Sequence, residues 1–283
     1  WDSSTKTCTL TADISMTSNG IGIYIPSATG ITLDGAGHTI TGIAVQSPDS
    51  CCGIDHDGVR ITGSSSNITV KNLTITNFSK GINSSHTNGL TITGVTITSG
   101  GGYSIYLYGT DGLKFESNTI GSSPYGQAGI NIIGHNAYMG QGNGSCTGTG
   151  EYVSSNNNGP IVIKNNVITD GIGLTIEGSG YCIDGNTLSG GAKMLFTATS
   201  YNGGATPTSH IISNNVISGT YDPGMYFSNA DGNTITSNTI KDGYYSGMTI
   251  SASDNNTISG NIITNNNPEN VGNTCGSDQP VCF

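Results

Sequence analysis

Two periodicities run through this chain. The short one is strict alternation of apolar and polar residues, as in SIYLYG at 104–109, GINIIG at 129–134, GMYFS at 224–228 and GMTIS at 247–251. Alternation over a few residues is the signature of a half-buried strand. The long one is a phrase: an apolar anchor, Asn three residues on, and another apolar residue two further on. It fits Phe115–Asn118–Ile120, Ile163–Asn166–Ile168, Ile183–Asn186–Leu188, Ile212–Asn215–Ile217, Ile235–Asn238–Ile240 and Ile258–Asn261–Ile263. Val70–Leu73–Ile75 and Ile92–Val95–Ile97 extend it upstream without the Asn. Successive anchors lie 22, 23, 48, 20, 29, 23 and 23 residues apart.

A repeat of about 20 to 50 residues marks a solenoid. Each unit holds at least two short strands joined by Gly, Asn, Ser and Asp turns. A unit this small cannot bury its own apolar face, so coils must stack into one continuous core with parallel strands along the stack. The expectation is one all-β domain over residues 1–283, a parallel β-helix of about ten coils. Insertions at 134–159 and 198–209 account for the two long gaps, and residues 264–283 close the chain as a disulfide loop. Ile92, Phe115, Ile163, Ile183, Ile235 and Ile258 should stack in one interior row. The recurrent Asn is a turn residue whose side chain can bond backbone amides and form a ladder from coil to coil.

GITLDGAGHTITG at 30–42 and SNITVKNLTITNFSKGI at 66–82 resemble the opening coils of secreted right-handed parallel β-helix repeat proteins. That group includes periplasmic copper-site accessory proteins of nitrous oxide reductase, pectate and alginate lyases, mannuronan epimerases and many microbial surface proteins. The resemblance implies a right-handed helix over nearly the whole chain. It says little about function, which depends on sites placed on the coils.

Composition narrows the classes. Charged residues make up only 9% of the chain and the net charge is −10, with eight Lys and Arg in all. Phosphate neutralisation needs clustered Lys and Arg, so nucleic acid is not an expected partner. No apolar run approaches the roughly 20 residues of a membrane helix. The chain starts at Trp1 without a Met, which reads as a mature secreted form, extracellular or at the cell surface. Seven cysteines suit an oxidising compartment. Cys275 with Cys282 is the leading disulfide; Cys146 with Cys182, and Cys8 with Cys51 or Cys52, are further pairings, and an odd count leaves one thiol over. Sequons at Asn67, Asn72, Asn77, Asn83, Asn143 and Asn255 are candidate glycosylation sites.

The densest charge cluster is IDHDGVR at 54–60. In a strand, Asp55 and Asp57 would share one face, with His56 opposite and Arg60 nearby. Tyr106 and Tyr108 should point outward from their strand, where rings can stack on sugars or anchor an interface. A uronate lyase or epimerase needs a base and a cation beside the sugar. Only Asp55, Asp57 and Arg60 approach that set, all on one segment, so no catalytic residue, metal or cofactor is assigned. Asp34 and His38 read as structural. The sequence favours an extracellular structural or adhesive protein stacking head-to-tail on itself, with a polysaccharide-active enzyme or carbohydrate-binding module as the alternative. Ice binding is a minor reading: outward Thr rows such as TITGVTIT at 91–98 offer a regular surface, but the triplets do not fall at one coil position throughout.

Overall fold

The computed structural model describes residues 1–43, 56–98, 102–121, 129–133, 161–169, 173–197 and 207–267. Cys51, Cys52, Asp55, Asn143, Cys146, Cys275 and Cys282 lie outside them, as do the whole of the 134–159 insertion and most of the 198–209 insertion and of the C-terminal loop.

Among the described residues every regular element is a strand. The strands form three parallel sheets of ten, ten and nine, and the chain visits the first, second and third sheet in turn before starting the next coil. The sequence predicted at least two strands per coil. The alternating runs at 104–109, 129–134, 224–228 and 247–251 hold strands of the third sheet, and the Asn phrase spans two strands, one in the first sheet and a three-residue one in the second. Gly58, Gly81, Gly224 and Gly247 stand where the chain enters the third sheet. A Cβ there would meet the side chains of Ile75, Ile97, Ile240 and Ile263 at 2.3–2.6 Å.

The anchor row is one file of the first sheet. Register pairs Leu33, Val70, Ile92, Phe115, Ile163, Ile183, Ile212, Ile235 and Ile258 from coil to coil. All but the last are buried at 1% exposure or less, and Ile258 is half-buried. Inside the third sheet, Phe196 and Phe227 stack at 4.6 Å with planes 3° apart.

The corner between the first and second sheets fixes the coil. From Asn72 onward it is two residues long. Its first residue, Asn72, Gly94, Ser117, Asn165, Gly185, Asn214, Ser237 or Gly260, has φ between 51° and 66°. That left-handed region favours Gly and Asn. Its second residue is the ladder position. Asn166 Nδ2 donates to the Phe115 carbonyl at 2.9 Å, while its Oδ1 accepts from Asn118 N and Nδ2 at 2.9 and 3.0 Å. Asn186, Asn215 and Asn238 repeat the pattern, and Asn261 receives the last bonds. Leu73 and Val95 occupy the position in the early coils; Val95 N still donates to Asn118 Oδ1 at 2.9 Å.

A second ladder runs where the third sheet returns to the first. Tyr181 N donates to His210 Nδ1 at 3.1 Å, His210 N to Asn233 Oδ1 at 2.9 Å, and Asn233 N to Asn256 Oδ1 at 2.8 Å. Histidine here does the work of asparagine, flanked by the Tyr181 and Phe196 rings. Burial holds its pKa down from 6.5 to about 3.

The structure bears on several further expectations. Cys8 is a free, exposed thiol and is not paired with Cys51 or Cys52; by register it continues the anchor file beyond Leu33. Cys182 is fully buried and disulfide-bonded to a cysteine outside the described residues. The Thr-Ile-Thr triplets do not share one coil position throughout, as expected: 39–41, 74–76 and 96–98 are aligned in the second sheet, and 91–93 and 234–236 lie in the first. Asn67, Asn72, Asn77 and Asn255 all have φ between 51° and 61°, so turn geometry accounts for their frequency. Asn72 Nδ2 donates to Asp34 and Asn83 Nδ2 to Asp57. Asp34, which also pairs with Lys71, and His38, bonded to Asp13, are structural.

Removing one ladder rung should be costly. Asn238→Ala leaves the Ile212 carbonyl and the Asn215 donors without partners, and should lower unfolding free energy by about 1–3 kcal/mol, read from urea denaturation; a change under about 0.5 kcal/mol would make the ladder ornamental. His210 gives a pH signature. Its folded pKa lies below its unfolded one, so its contribution is full above about pH 6.5 and declines as pH falls toward 3. Stability should drop by about 2 kcal/mol between pH 6.5 and pH 5, and His210→Asn should remove most of that slope. An unchanged slope in the variant would contradict the assignment.

Candidate functional site

Variable chain cannot be accommodated at a two-residue corner, so it collects at the other two. Segments 44–55, 99–101, 122–128 and 170–172 lead into the third sheet, and 134–160 and 198–206 lead out of it. The outer face of the third sheet is therefore the one bordered by the longest connections, where binding groups concentrate on rigid scaffolds. Asn131 points outward from this face yet is only 8% exposed, so protein covers the sheet at that coil.

Before that covered coil the outward file reads Tyr24, Arg60, Asn83 and Tyr106 on four successive strands. Asp57, Lys80 and Tyr103 stand beside it, 23 residues apart like Arg60, Asn83 and Tyr106. At roughly 4.8 Å per strand step, Tyr24 and Tyr106 are about 14 Å apart along the axis.

Asp57 is the pivot of this cluster. Its side chain is 1% exposed, against the expectation of a carboxylate open to ligand. One oxygen accepts from Arg60 Nε at 2.5 Å and from Asn83 Nδ2 at 2.8 Å. The other has no partner. The carboxylate thus acts inward, fixing a guanidinium and a carboxamide on the surface. A charge-assisted contact of this kind orients its donor strongly. His56 does not sit on the opposite strand face. It precedes the strand, is buried at 3% exposure, and packs on Phe78 at 5.2 Å. Burial lowers its pKa, against the opposing charge of Asp57.

Tyr106 and Tyr108 point outward as predicted, with Ile105 and Leu107 fully buried. Lys80 Nζ lies 5.4 Å from the Tyr106 ring centre, within cation–π range. Tyr103 meets Tyr106 at 5.7 Å and His86 meets Tyr108 at 5.3 Å, while Tyr24 bonds Thr62 through its hydroxyl at 2.8 Å. Sequence reasoning missed Tyr24, Lys80, Asn83 and Tyr103 as members of one site. The 23-residue steps from 57 and from 60 carried that signal. Chemically the arrangement offers a ligand the Lys80 ammonium, an Arg60 guanidinium already paired with Asp57, a fixed carboxamide and a row of phenol rings. Among the described residues no group of three His, Cys, Asp or Glu is arranged to hold a metal ion.

The chain matches the model of the right handed beta helix region over residues 5–143 and again over 125–280. No curated protein matches it. Among solved structures it is similar to the A-module of Azotobacter vinelandii mannuronan C-5 epimerase AlgE6. Identity there is 14% and the TM-score 0.43, covering 91% of this chain and 69% of that one. It is also similar to the catalytic domain of a GH87 alpha-1,3-glucanase in complex with nigerose, with 11% identity and a TM-score of 0.31 over 92% of this chain. The chain spans 63% of that glucanase domain's length. The family match covers both halves of the coil stack, and the chain belongs to the right-handed β-helix family.

Proposed function

We propose that this protein is an extracellular carbohydrate-binding β-helix whose third sheet holds an anionic polysaccharide across Tyr24, Arg60, Asn83 and Tyr106. The observation that carries this reading is that file of side chains. In a chain with net charge −10, it brings Arg60 and Lys80 together with several tyrosines on one outer face. Tyrosine rings stack on sugar faces while their hydroxyls bond to water or ligand. A guanidinium held by a buried carboxylate is preorganised for a sugar carboxylate or hydroxyl, which lowers the ordering cost of binding. The file runs along the helix axis, so an extended chain suits it better than a single sugar. Asp57 is bonded to Arg60 and Asn83, and its role in this reading is to position them.

Affinity electrophoresis in gels containing polygalacturonate, alginate or a neutral β-glucan tests the reading. The protein should be retarded by an acidic polymer more than by the neutral one. Tyr106→Ala should weaken that interaction about tenfold, or ~1.4 kcal/mol, with unchanged thermal unfolding. Lys80→Gln should weaken it less, by an amount that shrinks with added salt. No retardation in any of the gels, or variants that migrate like the parent protein, would overturn the proposal.

A further inference from the structure

The second sheet presents a different surface. Its outward file runs Thr39, Thr74, Thr96, Thr119, Val167, Thr187, Val216, Thr239 and Ile262 on nine successive strands. Every one is β-branched. A parallel file two residues on carries Thr41, Thr76, Thr98 and Gly121, then Thr169 and Ser189, then Ser218, Lys241 and Thr264. Lys241 is the one charge in the two files. None of the first file is buried, and Val167, Val216 and Ile262 are 41%, 37% and 57% exposed.

Among these described residues only the Thr169 hydroxyl bonds within the protein, to the Ile120 carbonyl at 3.4 Å. The remaining residues of both files are partly or fully exposed. From Asn72 onward the face is bounded on one side by two-residue corners, too short to overhang it. Among the described residues its two files carry no aromatic or arginine anchors for a protein partner. β-branched side chains hold one χ1 rotamer strongly, so the array is ordered before anything binds. Its mesh is about 4.8 Å between strands and about 6.6 Å between the files. What fits a flat, uncharged, periodic mesh of methyls and hydroxyls is a ligand that is itself flat and periodic and exchanges hydrogen bonds at every rung. An ordered water lattice has that character, and its in-plane repeats are close to this mesh.

We propose that the outer face of the second sheet binds the surface of ice. Methyl groups of the first file would seat in the lattice, and the hydroxyls of both files would take the place of lattice waters. The proposal is independent of the third-sheet site.

Thermal hysteresis and ice-recrystallisation assays on the full chain test it, using the doubly substituted Thr119→Lys, Thr187→Lys variant and a Thr257→Lys control on the first sheet. The parent protein should inhibit recrystallisation and facet growing crystals. The double variant should need at least tenfold more protein for the same inhibition, and the control should match the parent. Circular dichroism at the assay temperature should show all three folded. A parent protein without effect on ice growth up to its solubility limit overturns the proposal, as does a double variant as active as the parent. Sedimentation that shows a dimer dissolved by the same two substitutions also overturns it, because the face would then be covered by a second copy.

Discussion

The structure depends on one hydrogen-bonding arrangement: a buried asparagine at the corner between the first and second sheets, bonded to the coil before and the coil after. A two-residue corner turns the chain sharply and leaves backbone groups facing the interior, where an unpaired donor or acceptor costs about 1–3 kcal/mol. Asn118, Asn166, Asn186, Asn215 and Asn238 each satisfy a carbonyl of the preceding coil and accept from the rung before. Because every rung bonds both neighbours, the register of the whole stack follows. Where Leu73 and Val95 replace Asn, the corner keeps its length and its left-handed residue, and packing takes over the interior.

That constraint distributes function. A corner that admits only two residues keeps the second sheet open along one edge, and pushes variable chain to the borders of the third sheet. The three outer faces differ accordingly. The first carries short charge pairs, Asp34 with Lys71 and Lys164 with Asp184. On it Val162 and Cys182 point outward by register and are still fully buried, so that face is covered mid-stack. The second is an uncharged β-branched lattice apart from Lys241. The third gathers Arg60, Lys80 and the tyrosines around buried Asp57.

Much of the fold was legible because the solenoid repeats its reasons. The anchor row and the Asn phrase could be read from spacing alone, and both are where the sequence placed them. The split of the Asn phrase into two strands was less visible, because the strand after the corner is only three residues long and the corner itself takes two. The ladder histidine was illegible for a different reason. His210 follows an insertion, so nothing in its neighbourhood announces that it occupies an asparagine position. For the site, outward Tyr106 and Tyr108 followed from parity. The inward role of Asp57 did not, since burial of a carboxylate depends on where the next coil puts Asn83.

The most direct test of the central claim is amide hydrogen exchange of the native protein at the ladder positions. The backbone N–H groups of Asn118, Asn166, Asn186, Asn215 and Asn238 donate to side-chain oxygens in the next coil rather than to another strand. If those bonds hold the stack, these five amides should exchange as slowly as the strand amides of Ile163 and Ile183 in the anchor row. Exchange at rates typical of exposed turns would show that the corners open freely, and that strand pairing alone carries the helix.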